Sequence, residues 1–165
     1  LQLAAVYGNI SPKIAEKIGP KNRLDVVDVA AVQLQNLSKK ITTINNIQLI
    51  HQDASQLTLQ PQSYDTVLLF FILHEVPEET KEKILGQAVQ MVKSGGKIVV
   101  VDYHQPSAFS PLKYLMWPVL KLLEPFAMSI WKNEVVKWLP EGCKVKSISK
   151  ETFFTKLYQK IVIKF

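Results

Sequence analysis

The feature that most constrains the fold is a regular alternation of short apolar runs with helical patterns over the first two-thirds of the chain. Strands are expected at residues 1–6, 24–29, 47–51, 64–73 and 97–103. The fourth run is nearly all apolar, which is typical of a central parallel strand buried on both faces. The alternation predicts an α/β fold with a doubly wound, Rossmann-like, mostly parallel sheet and helices on both faces.

Local signals predict where the first three helices begin and end. Ser11-Pro12 supplies an N-cap hydroxyl and a proline for the first helical position, and Gly19-Pro20 ends that helix. A second helix is expected over residues 30–41. The third should open at Pro77-Glu78-Glu79 and close at Ser94-Gly95-Gly96.

The last third of the chain departs from this rhythm. Residues 109–140 predict a long, aromatic-rich helical insertion that is broken at Pro118 and Pro125. Residues 145–150 and 157–165 predict a closing antiparallel hairpin.

A single domain over residues 1–165 is therefore expected. Because the chain starts at Leu1, without Met and inside an expected strand, we also expect an N-terminal portion to be missing. The domain should comprise a cofactor-binding half (1–104), a helical lid (105–140) and the hairpin (141–165).

Composition limits the partners. The chain has 20 basic and 14 acidic residues, a net charge of +6, and 47% apolar residues, which excludes a disordered chain. Only Arg23 is an arginine, which argues against nucleic acid because bidentate phosphate and base contacts favour guanidinium groups. The single cysteine, Cys143, cannot form an internal disulfide, so a reducing compartment is expected. No run approaches a membrane span or a signal peptide.

Candidate cofactor contacts lie at the carboxyl ends of the first three strands, where open α/β sheets bind ligands. Asp28 follows the first turn at the spacing at which a carboxylate accepts ribose hydroxyls, or else it caps the next helix. Asp53 contacts an adenine amino group, or else it forms an Asx-turn. The first turn lacks the glycines of a dinucleotide fingerprint, so a nucleoside without pyrophosphate is expected. The candidates are Tyr7, Gly8, Asn9, Asp28, Val29, Asp53 and Ala54.

Candidate catalytic residues lie at the ends of the fourth and fifth strands, which should be neighbours. His74-Glu75 and Asp102-Tyr103-His104 bring two imidazoles and two carboxylates toward one edge. Such a set can hold a metal or can act in acid–base chemistry without one. We expect catalytic roles for His74, Glu75, Tyr103 and His104, with His74, Glu75, Asp102 and His104 as the candidate metal ligands.

The insertion contains all three tryptophans. Lys113, Trp117 and Lys121 are spaced as one helical stripe, which suits an interfacial helix at a membrane. The alternative is a lid whose apolar face packs on the sheet. The apolar face predicted for that helix contains Leu112, Leu115, Met116, Val119, Leu122 and Leu123.

The layout of residues 1–97 resembles that of the class I S-adenosylmethionine-dependent methyltransferases. It departs from them at Gln2, where the family has an acidic residue, and at Ala4 and Val6, where it has glycines. The matching features are the first strand and turn with Gly8, Asp28, Asp53-Ala54, Tyr64-Asp65 and Ser94-Gly95-Gly96-Lys97.

A narrower set of sequence blocks resembles the rhodoquinone-biosynthesis methyltransferase-like proteins. The blocks are residues 1–9, 24–29, 70–78, 101–104, 114–118, 122–126 and 150–154. The resemblance implies conversion of ubiquinone to rhodoquinone, in which an amine replaces a ring methoxy group. It also implies S-adenosylmethionine as the apparent amino donor and divalent manganese as a helper.

An enzyme of that kind would work at the cytoplasmic face of a bacterial inner membrane or on the matrix side of a mitochondrial one. Two alternatives remain open. One is a conventional methyltransferase acting on a quinone or another small molecule. The other is a non-catalytic binding domain with a decayed cofactor site.

Overall fold

A computed structural model describes residues 1–5 and 8–165. Within them one sheet has seven strands in the order β3-β2-β1-β4-β5-β7-β6. The strands are β1 (Gln2–Leu3), β2 (Leu24–Asp28), β3 (Ile47–His51), β4 (Tyr64–Phe70), β5 (Val92–Tyr103), β6 (Ser147–Phe153) and β7 (Tyr158–Lys164).

The predicted fold class is confirmed. Strands β1 to β5 pair in parallel, and β7 runs antiparallel between β5 and β6. The helices are α1 (Ile10–Ile18), α2 (Ala31–Ser38), α3 (Glu78–Met91), α4 (Pro111–Leu123) and α5 (Ala127–Lys132), with short 3₁₀ helices η1 (Leu73–Glu75) and η2 (Val135–Trp138). In the part of the chain that the structure describes, no helix has the length and apolarity needed to cross a bilayer.

Helix α1 begins one residue before the predicted cap. The amide of Lys13 donates to the carbonyl of Asn9 at 3.2 Å, so Asn9 takes the N-cap position and Ser11 is buried in the first turn. Gly19 ends the helix as predicted, with its amide bonded to the carbonyls of Ala15 and Glu16. The second helix is shorter than expected, because it starts at Ala31 and ends at Ser38.

Strand β4 ends at Phe70 rather than at residue 73. Phe71 has a φ of 53°, and its amide donates to the carbonyl of Val101 at 2.8 Å. The positive φ turns the chain out of the strand, and it coils at once into η1. This turn is what aims His74 back toward the end of β5.

The glycine pair predicted to end α3 lies inside β5 instead. Helix α3 ends at Met91, and β5 begins at Val92, which was expected on the helix face. The pairing of β4 with β5 shifts register here, between Tyr64 and Thr66. A Cβ on Gly96 would come within 3.0 Å of the Asp65 and Lys93 carbonyl oxygens, so the bulge needs glycine at this position.

The insertion is less interrupted than predicted. Helix α4 continues through Pro118, where the exposed surface lets water bond the carbonyl that the proline leaves unpaired. Pro125 does separate α4 from α5. The hairpin forms: β6 begins and ends later than the expected residues 145–150, β7 lies within the expected residues 157–165, and the loop over residues 154–157 is tighter than expected.

The core below the site is made by one face of β4 and β5 against α3. Leu69, Ile98, Val100 and Leu85 are all fully buried in it. Burying each such side chain contributes roughly 1.5–3 kcal/mol. This packing gives a rigid support to the strand ends that carry the functional side chains.

Candidate functional site

A buried histidine–aspartate pair lies where β4 and β5 end. His74 Nδ1 lies 2.8 Å from Asp102 Oδ1, and the Asp102 side chain is 0% exposed. The carboxylate also accepts the amides of Leu73 at 2.9 Å and Tyr103 at 2.7 Å. Because an ionised carboxylate can only accept, Nδ1 carries a proton, and in the neutral imidazole Nε2 is the basic nitrogen.

Two further carboxylates face Nε2 of His74. Glu75 Oε1 is 3.9 Å away and Glu124 Oε2 is 3.8 Å away. Burial lowers the pKa of His74, but the hydrogen bond and charge of Asp102, followed by the charges of Glu124 and Glu75, more than offset this effect. The pKa of His74 therefore lies above its ordinary value. Burial also raises the pKa of Glu75.

Aromatic rings form the wall beside the pair. The Tyr103 ring is 4.7 Å from the His74 ring, and Phe71 is 5.9 Å from both. Tyr158 stacks on Tyr103 at 5.6 Å with an interplanar angle of 26°. Burial, followed by the charge of Glu124, raises the pKa of Tyr103 to about 12, so its hydroxyl stays protonated at neutral pH. A wall of this kind suits a flat ring.

Asp28 stands at the other half of the same sheet edge. Its Oδ2 accepts the amide of Ala5 and its Oδ1 the amide of Ala30, both at 2.7 Å. The second bond ties the carboxylate to Ala30, the N-cap residue of α2, but it is not a side-chain cap of the helix. The first bond ties it to the β1 turn. Each oxygen has a second lone pair, so the half-buried carboxylate can still accept hydroxyl donors.

The other predicted cofactor contacts differ in exposure. Gly8, Asn9 and Asp53 are exposed, and Val29 is 68% exposed. Asp53 Oδ1 accepts the amide of Ser55 at 2.7 Å, which is the Asx-turn alternative. Ala54 is buried in the core. Tyr7 lies outside the described residues.

The backbone at the end of β1 is strained. Ala4 has a φ of 77°, a conformation that favours glycine, at a position where the class I methyltransferases carry one. Its carbonyl accepts Nε2 of Gln2 at 2.8 Å. Gln2 is fully buried, and its Oε1 has no partner among the residues that are described.

The four predicted metal ligands do not converge. His104 Nδ1 is 2.9 Å from the carbonyl of Lys156 in the hairpin loop, and the Asp102 carboxylate is occupied by N–H donors. Over residues 1–5 and 8–165, no group of three or more His, Cys, Asp or Glu side chains has the arrangement of a metal site. The residues therefore do not fit manganese. His74, Glu75 and Tyr103 come together, and His104 does not join them.

Glu124 was not predicted as a site residue. It is the C-cap of α4, and its Oε2 is buried without a hydrogen-bond partner in the described part of the chain. Residues 122–126 are one of the blocks that carry the family resemblance, which was the available signal, but the block does not assign a role to Glu124, because Glu124 reaches His74 only when the insertion folds over the end of η1.

Helix α4 does not present the single apolar face that was predicted. Leu120 is buried, and Leu112 and Met116 pack beside it. The other side of the helix is apolar and open to solvent. Its exposed members are Tyr114 at 69%, Leu115 at 66%, Trp117 at 46%, Val119 at 41%, Leu122 at 81% and Leu123 at 71%.

The fold is that of doubly wound α/β proteins, in which ligands are generally bound at the carboxyl ends of the parallel strands. Residues 1–96 match the family model described as a methyltransferase domain. The chain belongs to this methyltransferase family.

Two relatives share a quinone-related name. The demethylmenaquinone methyltransferase of Lactobacillus johnsonii is 29% identical over 137 residues, covering 81% of this chain and 54% of the relative. That of Listeria monocytogenes serotype 4a is 30% identical over 96 residues, covering 57% of this chain and 40% of the relative. The chain thus spans about half the length of these relatives.

Solved structures show the same fold at low sequence identity. N-methyltransferase NodS from Bradyrhizobium japonicum, in complex with S-adenosyl-L-homocysteine, has a TM-score of 0.68 at 13% identity, covering 99% of this chain and 75% of that one. A SAM-dependent methyltransferase from Aquifex aeolicus has a TM-score of 0.66 at 15% identity, covering 99% and 79%.

Proposed function

We propose that the protein is an S-adenosylmethionine-dependent methyltransferase that acts on a small quinone-type ring. The observation that carries the proposal is the buried His74–Asp102 pair, whose imidazole ring packs against an aromatic wall at the carboxyl-end edge of the sheet. The names of the relatives support a quinone-type substrate.

Each residue has a role in this proposal. Asp28, Gly8 and Asn9 would hold the nucleoside, with Asp28 accepting the ribose hydroxyls. When bound, S-adenosylmethionine supplies an electrophilic methyl group. Asp102 keeps the Nδ1 proton in place, so that Nε2 of His74 takes the proton of a ring hydroxyl. The deprotonated ring is the stronger nucleophile, and Tyr103 packs against it.

We also propose amine exchange on ubiquinone, giving rhodoquinone, as a second candidate. It rests on the sequence resemblance and on the first turn, where Ala4 holds a positive φ without being glycine and Gln2 replaces the acidic residue. Both changes lie where the amino-acid end of the cofactor would meet the backbone. In this version, the amine adds to the ring carbon that carries the methoxy group, the ring C–O bond breaks, and His74 takes a proton from the amine and returns it to the methoxy group, which leaves as methanol. This version includes no metal step, because the side chains in the described part of the chain do not assemble a metal site.

Product mass separates the candidates. The protein is incubated with S-adenosylmethionine and either reduced demethylmenaquinone or ubiquinone, and the quinone is weighed by mass spectrometry. Methylation raises the mass by one methylene, whereas exchange of methoxy for amine lowers it. Absence of any product, together with ligand binding that falls steeply with salt, would instead support a non-catalytic binding domain.

A comparison of two histidine variants tests the assigned base. His74→Gln should reduce kcat by roughly 10²–10⁴-fold if His74 is the general base. His104→Gln should lose far less, because His104 bonds the hairpin loop and not the pair. Equal losses in both variants, restored by manganese, would favour the metal-assisted alternative.

We propose that the insertion rests on a membrane surface and that the protein is peripheral to it. Exposed apolar side chains on α4 lie beside Lys121, whose Nζ is 4.8 Å from the centre of the Trp117 ring. Aromatic and basic side chains on one helix suit the headgroup region, and each lysine contributes about 1 kcal/mol near an anionic surface. A lipid-soluble quinone would then reach the site from the bilayer. The expected surface is the cytoplasmic face of a bacterial inner membrane or the matrix side of a mitochondrial one.

Liposome flotation tests the membrane proposal. Replacing Lys113, Trp117 and Lys121 together should reduce binding to anionic vesicles and raise KM for a long-tailed quinone, while sparing a short-tailed one. The matched control replaces the exposed lysines of other helices, Lys17 and Lys83. If the triple variant binds as well as the parent, α4 is not the contact.

A further inference from the structure

Lys81 of α3 is a buried cation that has no carboxylate partner within residues 1–5 and 8–165. Its side chain is 0% exposed, and its ammonium donates to the carbonyls of Val76 at 2.6 Å and Phe126 at 3.3 Å. The rings of Trp138 and Phe126 lie 5.5 Å and 5.9 Å from Nζ. Holding a charge here is costly, and a methionine would fill the same apolar space at less cost. The role of a lysine at this position must therefore lie in the two carbonyl bonds, which hold two segments of the chain together.

The two carbonyls belong to the segments that meet at Nε2 of His74. Val76 is two residues beyond His74, and Phe126 is two residues beyond Glu124. The Lys81 ammonium thus joins the end of η1 to the end of the insertion helix. Glu124 Oε2 is buried, lacks a partner among the described residues, and is 3.8 Å from Nε2. Glu75 stands at a similar distance, but its side chain is 68% exposed, compared with 37% for Glu124.

We propose that Glu124 is a positioning residue for the His74 base and that Lys81 holds it there. Asp102 occupies Nδ1, so Glu124 is the more buried carboxylate available to the other nitrogen. A proton taken by Nε2 comes to lie against Glu124 Oε2, which stabilises the protonated imidazole. Lys81 acts only through the position of Glu124. The catalytic part of this inference rests on the proposed function, and the geometric part does not.

A double-mutant cycle in the ligand-free protein tests the geometry. The probe is the ¹⁵N resonance of His74 Nε2 at fixed pH, which reports its protonation and hydrogen bonding. The groups facing this ring are Asp102 and Tyr103 of β5, Glu75 of η1 and Glu124 of α4. Glu124→Gln should shift the resonance, and Lys81→Met should shift it in the same direction. Lys81→Met added to Glu124→Gln should cause no further shift.

Two matched controls come from the same region. Lys137→Met removes another lysine that lies over the Trp138 ring, at 5.9 Å, and bonds neither Val76 nor Phe126. Glu134→Gln removes a carboxylate of the insertion that pairs with Lys150. Neither change should move the His74 resonance. If Lys81→Met does not fold, Lys81→Arg takes its place in the cycle, because the larger planar head cannot reproduce both carbonyl bonds.

Turnover adds the second readout. Both Lys81→Met and Glu124→Gln should lower kcat, by about tenfold to a hundredfold, with little change in KM, and the two losses should not multiply. Additive resonance shifts, or an unmoved resonance in Glu124→Gln, would overturn the inference. A coupled resonance without turnover on any quinone would uphold the positioning and reject the proposed function. Additive resonance shifts together with normal turnover of a quinone would reject the positioning role and uphold the proposed function.

Discussion

Replacing Asp102 with Asn keeps the shape of the side chain and removes the charge that organises the pair. Three donors converge on the carboxylate, from His74, Leu73 and Tyr103. A carboxamide has one oxygen, so its best orientation keeps the two bonds to Oδ1 and turns its NH₂ toward the amide of Leu73. That amide is then buried and unpaired.

The loss of stability follows from these contacts. One unpaired buried amide costs about 1–3 kcal/mol, and each retained bond loses about 1 kcal/mol when its acceptor is no longer charged. We expect the free energy of unfolding of Asp102→Asn to fall by about 3–5 kcal/mol. With an m-value of about 2 kcal/mol/M, the urea midpoint should drop by about 2 M.

The pH dependence of the free energy of unfolding provides a second test of this bonding scheme. In the parent, the raised pKa of His74 means that protonation favours the native state. This contribution is complete below the unfolded pKa of about 6.5 and is lost as pH rises through the raised native value. In Asp102→Asn the largest contribution that raises the pKa of His74, the charge of Asp102 and its hydrogen bond, is lost, so the pKa falls relative to the parent and protonation favours the native state less. The stability gap between parent and variant should therefore widen toward acid pH.

The assay is urea unfolding followed by circular dichroism at two pH values on either side of that window. Asp65→Asn is the control, since Asp65 is exposed and pairs with Lys93 at the surface. It should leave the midpoint nearly unchanged. A loss below about 1 kcal/mol for Asp102→Asn, with an unchanged m-value, would refute the buried bonding scheme. So would a gap that narrows toward acid pH.

Other changes test separate parts of the molecule. Asp28→Asn should weaken S-adenosylmethionine binding by about 1–3 kcal/mol, because one oxygen can no longer accept a hydroxyl. Calorimetry measures the affinity, and an unchanged value would contradict this role of Asp28. Ala4→Gly should raise the free energy of unfolding by about 1 kcal/mol by relieving its φ of 77°, and a lower thermal midpoint would contradict the strain. The rate of turnover should rise with pH through the raised pKa of His74, since Nε2 must be unprotonated to act as a base. A plot of turnover rate against pH should show this rise in the parent, and the rise should be absent in His74→Gln.

Strands in the parallel half could be predicted because each is a compact apolar run between polar turns. The bounds of β3 match the expected residues 47–51. Local signals failed where tertiary pairing decides the conformation. Gly95 and Gly96 were interpreted as a helix end, yet they form a bulge against Tyr64–Thr66 on the neighbouring strand. Pro118 was interpreted as a break, yet an exposed helix tolerates it because water can bond the exposed carbonyl.

The site was predictable to the extent that strand order brings residues to one edge. The neighbouring positions of β4 and β5, which bring His74 and Asp102 to the same edge, could be predicted, whereas the turn at Phe71 that aims His74 toward Asp102 could not. The direction of His104 does not follow from that order, because one residue beyond the strand the chain has already turned toward the hairpin loop. Glu124 could not be found at all, since its contact with His74 depends on how α4 crosses the sheet edge.

The insertion connects the proposed membrane-contacting side of α4 with the candidate site at His74. Helix α4 has 13 residues and is about 20 Å long; its outer side is apolar and exposed, and its C-cap reaches the histidine. Lys81 attaches this end of the insertion to η1 through two backbone carbonyls. A lipid surface that fixes the outer side of α4 therefore also fixes the position of Glu124. Adding anionic vesicles should then shift the position of the His74 resonance in the parent, and it should leave the position of that resonance in Glu124→Gln unchanged.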